Sequence, residues 1–181
     1  MPHIPQPEVE AKPVAPPPPP EVVVIGGVAV DVSCDTSSPT PALHTSNPST
    51  ITESLGGVGN NVAYALHLSG ARTRLVSSVG VDLSGSWVRE RVRERGMDTE
   101  GIITHPSHAT ARYVAVNDAN GGLFVASADM GVIEQLETAN VTEAIKATAA
   151  EWVVLDGNLS RQTTKGVLEY CLKSGIKGKS P

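Results

Sequence analysis

The 181 residues allow one domain, and 40% apolar residues with only 3% aromatic ones predict a core of mainly aliphatic side chains. The net charge of −5 argues against a nucleic-acid partner, because no basic stripe is present to neutralise phosphates. No apolar run is long enough to span a bilayer, and the N-terminus lacks the features of a signal peptide. We therefore expect a cytoplasmic protein without a membrane partner. We therefore interpret Cys34 and Cys171 as reduced thiols rather than as a disulfide.

Residues 1–21 differ in composition from the rest of the chain. Nine of the first twenty residues are proline, ending in the run Pro16 to Pro20. Such a composition favours an extended polyproline II segment that cannot build a core. We interpret the segment as a disordered linker, with a ligand for an SH3-type domain as the alternative.

The stretch from Val22 to Val32 is predicted to be the first strand. It opens with the run Val22-Val23-Val24-Ile25, which is typical of a parallel strand buried on both faces. Asp31 stands near the predicted end of this strand. Its carboxylate could accept hydrogen bonds from two neighbouring sugar hydroxyls, or it could simply cap a turn.

Residues 55–63 form a glycine-rich loop that leads into an amphipathic helical pattern. Gly56, Gly57 and Gly59 let the backbone adopt positive φ and let a ligand approach the main chain closely. Asn61 would project from the first helical turn, and Gly70 is placed to end the helix. A junction of this kind offers N–H groups to a polar or anionic ligand, although a purely structural turn has the same pattern.

The remaining elements alternate between strands and helices, which predicts an α/β fold. They are a strand at 72–79, a helix at 84–95, a hairpin at 110–128, a strand at 151–156, a helix at 160–173 and the start of a strand at 175–177. Asn140, with Glu143 three residues later, has the form of a capping pair at a helix start. Asn158 comes just after the strand at 151–156, where ligands collect in open α/β sheets.

These motifs together resemble one family. Six residues stand at the intervals found in the first signature of the ribokinase-like (PfkB) carbohydrate kinases. They are Gly57, Gly59, Asn61, Ala63, Gly70 and Gly80. Residues 22–32 resemble the first strand of that family, and residues 79–85 resemble its G-x-D-x-x-G turn. Within the family the chain is most similar to pseudouridine kinases, on the basis of Thr45-Ser46-Asn47-Pro48, the pattern at 110–128 followed by Asp129-Met130, and residues 154–159.

The resemblance implies a ribokinase-like α/β fold, with a predominantly parallel sheet flanked by helices and a small β lid at about 40–53 and 110–128. It implies that residues 22–177 are the N-terminal part of the kinase domain, that 178–181 are a tail, and that the C-terminal half is missing. The implied substrate-binding residues are Asp31, Gly56, Gly57, Asn61 and Asn158, and the implied lid residues are Thr110, Arg112 and Tyr113. One departure is Ala29, because the family commonly has asparagine two positions before the aspartate.

The function implied is phosphorylation of the 5′-hydroxyl of pseudouridine, with Mg²⁺ and ATP used by the full-length form. The family's late G-A-G-D-like segment, which carries the catalytic aspartate, does not occur in these residues. We therefore expect no catalytic residue, no metal ligand, no bound cofactor and negligible kinase activity in this chain alone. The alternatives are a ribokinase- or adenosine kinase-like enzyme, or a non-catalytic sugar-binding or regulatory fragment. Implied partners are a pseudouridine-5′-phosphate glycosidase, fused or separate, and a second copy bound through the lid.

Overall fold

The structure is a computed structural model, and it describes residues 18–179. Most of the predicted linker, residues 1–17, and the last two residues of the predicted tail lie outside the described residues. The strands are β1 (Val22–Ile25), β2 (Ala29–Thr36), β3 (Ser49–Gly56), β4 (Thr73–Gly80), β5 (Ile102–His105), β6 (Arg112–Asn117), β7 (Leu123–Asp129), β8 (Trp152–Leu155) and β9 (Lys177–Lys179). The helices are α1 (Val58–Leu68), α2 (Leu83–Glu94), α3 (Gly131–Glu134), α4 (Thr138–Lys146) and α5 (Arg161–Ser174).

The core of the fold is a parallel sheet with strand order β5-β4-β1-β8-β9. Successive residues of β1 point to opposite faces of this sheet. Val23 and Ile25 pack in an apolar cluster with residues of α3, α4 and α5, whereas Val24 packs in a second cluster with residues of α1 and α2. The sheet therefore has helices on both faces, which confirms the predicted α/β fold.

A second sheet of four strands, with order β3-β2-β6-β7, forms the lid. Its two faces differ in chemistry. One face carries Asp31, Ser33, Thr52, Ser54, Tyr113 and Ala128, which pair across the strands. The other face carries Val30, Val32 and Leu55, which are buried in the cluster with α1 and α2, and farther out the row Ile51, Cys34, Val116 and Val125.

The predicted first strand, Val22–Val32, is in fact two strands. The chain leaves the core sheet after Ile25, breaks at residues 26–28 and enters the lid as β2, so Asp31 lies within a lid strand and not at the end of a core strand. The break has a long-range cause. A Cβ at Gly26 would collide with Asp156, and the Gly27 N–H donates to Asp156 Oδ2 at 3.0 Å.

Other boundaries were predicted more closely. The hairpin at 110–128 is confirmed as the antiparallel pair β6 and β7. The capping pair is wrong, because α4 begins at Thr138 with Glu137 as its N-cap residue, and Asn140 lies within the first helical turn. Strand β9 runs through Gly178 and Lys179, which were predicted to belong to the tail. Within residues 18–179, no helix is both long and apolar enough to cross a membrane.

Candidate functional site

The order of the core strands places a crevice at the carboxyl end of β1. On one side of β1 the next strands of the sheet are β4 and then β5, and on its other side they are β8 and then β9. Ligands in open α/β sheets bind where the strand order reverses in this way. The connections that leave β1 and β8 at this point carry Gly26, Gly27, Asp156 and Asn158.

Asp31, which the resemblance implies as a substrate-binding residue, lies beside the glycine-rich loop. A Cβ at Gly56 would overlap the Asp31 carboxylate, so only glycine allows the two to be in contact. Within the described residues, no group donates a hydrogen bond to this carboxylate, and burial raises the pKa of the Asp31 carboxyl. The carboxylate is therefore a partly buried acceptor that is available to a ligand.

The start of α1 packs closely against the backbone of residues 26–28, the break after β1. Gly57 has φ of 94°, and a Cβ there would lie 2.5 Å from the Gly27 carbonyl oxygen. A Cβ at Gly59 would lie 2.6 Å from the Gly26 carbonyl carbon. Gly57 thus approaches Gly27, and Gly59 approaches Gly26, more closely than a residue with a Cβ would permit. No side chain caps α1, so the N–H groups of Val58 and Gly59 in its first turn have no hydrogen-bond partner among the described residues.

Two adjacent asparagines on this first turn have different environments. Asn61, the predicted site residue, is exposed, and its Oδ1 accepts a hydrogen bond from Asn60 Nδ2 at 3.1 Å. Asn60 was not singled out from the sequence, yet it is fully buried, and its backbone N–H donates to the Gly27 carbonyl at 3.0 Å. Helical spacing gives a signal for this burial, because Asn60 lies three residues before the buried Ala63.

Asp156 is a second residue that the site prediction missed. Its side chain is buried at the end of β8, where Oδ2 accepts from Gly27 and Oδ1 accepts from both the N–H and the Nδ2 of Asn158. Asn158 is exposed and follows β8, which pairs with β1, so it lies at the carboxyl edge of the sheet. Asp156 therefore ties the predicted residue Asn158 to the break that positions α1.

Of the three predicted lid residues, only Tyr113 shares a face with Asp31, to which it is paired on the neighbouring strand. Arg112 lies on the opposite face, where its Nη2 donates to Ser84 Oγ at 2.7 Å. Thr110 is buried before β6, and its Oγ1 donates to Asp82 Oδ1 at 2.6 Å. The structure thus separates Thr110 and Arg112 from the candidate site. Thr110 lies before the strand, and Arg112 and Tyr113 point to opposite faces because successive residues of a strand alternate between its two faces.

The bonds between Asp82 and Thr110 form a clamp at the base of the lid. Asp82 Oδ2 accepts from the Thr110 N–H at 2.8 Å, and Oδ1 also caps α2 by accepting from the Gly85 N–H at 2.7 Å. Burial raises the pKa of the Asp82 carboxyl, but these hydrogen bonds and the nearby positive charge of Arg112 outweigh it, so the pKa is lowered. The clamp ties the segment entering β6 to the core.

A protein metal site needs several ligating side chains close together. Among residues 18–179, no cluster of three or more His, Cys, Asp or Glu side chains is arranged to bind a metal ion. His105 and His108 do meet, with their Nδ1 atoms 3.1 Å apart. Two nitrogens, one from the end of β5 and one from the loop after it, do not make a metal site without further ligands.

The comparisons with known proteins identify the family. The family model described as pfkB family carbohydrate kinase matches residues 19–177. The chain belongs to the PfkB family of carbohydrate kinases. Among solved structures, a carbohydrate kinase from Agrobacterium tumefaciens is 28% identical and superposes with a TM-score of 0.79, covering 89% of this PfkB chain and 53% of that protein.

Two curated relatives of this PfkB chain are named for pseudouridine. The pseudouridine-metabolizing bifunctional protein of Schizosaccharomyces pombe is 33% identical over 139 residues, which are 75% of this chain and 18% of that protein. The pseudouridine kinase of Escherichia coli is 28% identical over 125 residues, which are 68% of this chain and 40% of that protein. The matched stretch thus covers less than half the length of either relative.

Proposed function

We propose that this chain supplies the sugar-binding half of a PfkB-family kinase whose full-length form phosphorylates the 5′-hydroxyl of pseudouridine. The observation that carries the proposal is the contact of the Asp31 carboxylate with Gly56, beside the uncapped start of α1 that presents Asn61. This arrangement combines an acceptor for sugar hydroxyls with donors from the loop, at the point of the sheet where ligands bind.

Each proposed site residue has one task. Asp31 accepts hydrogen bonds from neighbouring hydroxyls of the sugar, and the backbone of Gly56 and Gly57 allows the sugar to come close. Asn61 donates from its Nδ2, because its Oδ1 is already bonded to Asn60. Asn158 and Tyr113 would contribute from β8 and from the lid, and the lid would exclude water from the acceptor hydroxyl.

The departure at Ala29 fits this site. Its side chain is 1% exposed and packs in the cluster with α3. A polar side chain there would need a partner that these apolar neighbours do not supply. The ligand is therefore held without the polar contact that the family commonly has at this position.

The choice of pseudouridine is supported by the names of the two relatives and by the residues 45–48 and 154–159. Phosphoryl transfer would require Mg²⁺, ATP and a general base, and the G-A-G-D-like segment that carries the base in this family does not occur in these residues. We therefore assign Mg²⁺, ATP and the catalytic base to the full-length form, which acts on a small-molecule nucleoside in the cytoplasm. The chain alone is expected to bind the nucleoside and to phosphorylate it negligibly.

Isothermal titration of the purified chain with pseudouridine tests the proposal. Saturable binding is expected, and Asp31→Ala should weaken it by at least tenfold, because a charge-assisted hydrogen bond contributes about 1.5–3 kcal/mol. Asp35→Ala is a matched control, since Asp35 lies on the same strand and face, about 13 Å farther out. Guanosine, adenosine and ribose in parallel titrations would distinguish pseudouridine from other sugars and nucleosides.

Three outcomes would count against the proposal. A folded chain that binds none of these compounds would contradict the sugar site, and equal losses in the Asp31 and Asp35 variants would place the site elsewhere. Efficient ATP-dependent phosphorylation by this chain alone would contradict the assignment of the base to the remaining half.

We also propose that two copies associate through the lid. The row Ile51, Cys34, Val116 and Val125 crosses all four strands, and Ile51 is 65% exposed. An apolar row on an open sheet is a typical contact surface. Sedimentation should show a dimer that Ile51→Asp converts to a monomer, whereas Leu68→Asp, at an exposed position on α1, should not. A monomeric parent chain would refute this contact.

A pseudouridine-5′-phosphate glycosidase is the enzyme partner that fits this function. The phosphorylated nucleoside is what such an enzyme consumes, and the S. pombe relative is named as bifunctional in pseudouridine metabolism. Co-purification of the full-length protein with that glycosidase, or both activities in one polypeptide, would support this pairing. Independent migration of two separate proteins would contradict it.

A further inference from the structure

Asn60 is an unusual residue among those that the structure describes. Its side chain is fully buried, and its Oδ1 is the buried side-chain oxygen or nitrogen in residues 18–179 that has no hydrogen-bond partner. Its Nδ2 donates to Asn61 Oδ1 at 3.1 Å. Buried polar groups in folded proteins are almost always paired, so an unpaired one calls for an explanation.

The fold itself does not need this amide. The polar groups of the neighbouring break are satisfied by other residues, because Gly27 donates to Asp156 and Val28 donates to Ser77 Oγ at 3.1 Å. The contact between Asn60 and Gly27 uses only the backbone N–H of Asn60, which any non-proline residue provides. The one group that depends on the Asn60 side chain is the amide of Asn61.

We infer that Asn60 is a positioning residue that sets the orientation of the Asn61 side chain for the ligand. The bond from Asn60 to Asn61 Oδ1 fixes the orientation of the Asn61 amide, which leaves its Nδ2 on the side away from Asn60 to donate to a ligand oxygen. Asn61 then acts as a donor to a hydroxyl or carbonyl oxygen, which complements the acceptor Asp31. This inference rests on the proposed sugar site, in which Asn61 touches the ligand and Asn60 does not.

A purely structural role for Asn60 makes the opposite prediction for stability. Leucine has nearly the shape of asparagine, is a better helix former and has no polar atom to leave unpaired. Asn61 is exposed, so water can replace the lost bond to its Oδ1. Asn60→Leu should therefore keep or raise the melting temperature and still weaken ligand binding. A structural residue would lose stability and binding together.

A double-mutant cycle on pseudouridine binding tests the inference. Asn60→Leu and Asn61→Ala should each weaken binding by about two- to tenfold, the usual effect of one hydrogen bond. The double variant should bind no more weakly than Asn61→Ala, because Asn60 acts only through Asn61. Asn140→Leu, at an exposed position of α4, is the matched control and should leave binding unchanged. Independent, multiplying losses in the double variant would overturn the inference.

A measurement without ligand separates this inference from the proposed function. In ¹⁵N relaxation measurements the side-chain amide signals of Asn61 should report an ordered group in the parent chain, and Asn60→Leu should lower their order parameter. Asn140→Leu should leave them unchanged. Unaltered Asn61 signals in Asn60→Leu would refute the positioning role even if pseudouridine binds. Conversely, altered signals in a chain that binds no nucleoside would support the positioning role and refute the sugar site.

Discussion

Substitution of Gly59 by alanine sets two physical effects against each other. Gly59 is the second residue of α1, and helix propensity alone predicts a gain of up to about 1 kcal/mol for alanine. The added Cβ, however, would lie 2.6 Å from the carbonyl carbon and 2.7 Å from the Cα of Gly26. Carbon atoms pack at about 3.5–4.0 Å, so the start of α1 would have to move by about 1 Å.

The cost of this movement exceeds the gain. Overpacking against a rigid neighbour costs about 1–3 kcal/mol, and the colliding atoms here belong to the backbone. The movement would also lengthen the hydrogen bond from the Asn60 N–H to the Gly27 carbonyl, now 3.0 Å, which contributes about 0.5–1.5 kcal/mol. The net loss should be about 2 kcal/mol, which lowers the melting temperature of a chain of this size by roughly 4–8 °C.

Thermal and urea unfolding followed by circular dichroism would measure this loss. Gly131→Ala is the matched control, because Gly131 is also helical and its Cβ would meet only side-chain atoms, at 3.6 Å or more. That variant should be neutral or slightly more stable than the parent chain. A Gly59→Ala chain as stable as the parent would refute the close approach of α1 to the break after β1.

Three further predictions concern the site and the lid. Asp82→Asn should lower the free energy of unfolding by about 1 kcal/mol at pH 7, the usual loss on weakening a cap. Because the pKa of Asp82 is lowered in the folded protein, its contribution to stability is complete above the pKa of the unfolded state and is lost as the pH falls through the folded pKa. Urea unfolding measured from pH 7 to pH 2 should therefore show the variant and the parent chain becoming equally stable at acid pH. Asp31→Asn should raise the urea midpoint at pH 7, since burial disfavours the charged form, and the gain should vanish once acid protonates the parent. Gly56→Ala should displace the Asp31 carboxylate and abolish nucleoside binding in a titration, while circular dichroism still shows a folded chain.

The sequence was sufficient for the fold class and for most of the elements. Short β-branched runs such as Val22–Ile25 alternate with amphipathic helical patterns, and both signals are local. What local patterns missed was the break at residues 26–28, because its cause is Asp156, which lies 129 residues from Gly27 in the chain. The continuous apolar run was therefore interpreted as one strand that included Asp31.

The same limit explains the error at α4. Asn140 followed by Glu143 matches a capping pair, but the helix starts at Thr138, whose side chain lies against Gly166 of α5. Packing between two helices decided the boundary, and local propensity did not. At the lid, the residue types of Thr110, Arg112 and Tyr113 were compatible with a site. Only the register of β6 showed that Arg112 and Tyr113 lie on opposite faces, and only the bonds to Asp82 showed that Thr110 lies elsewhere.

The missed residues share a position in the fold. Asp156 bonds to Gly27, Gly27 bonds to Asn60, and Asn60 bonds to Asn61, so one path of hydrogen bonds runs from the end of β8 to the start of α1. The path crosses the point where the strand order reverses, which is why its members are distant in sequence. Every bond in this path lies within residues 27–156, so we predict that nucleoside binding to this chain can be separated from phosphoryl transfer.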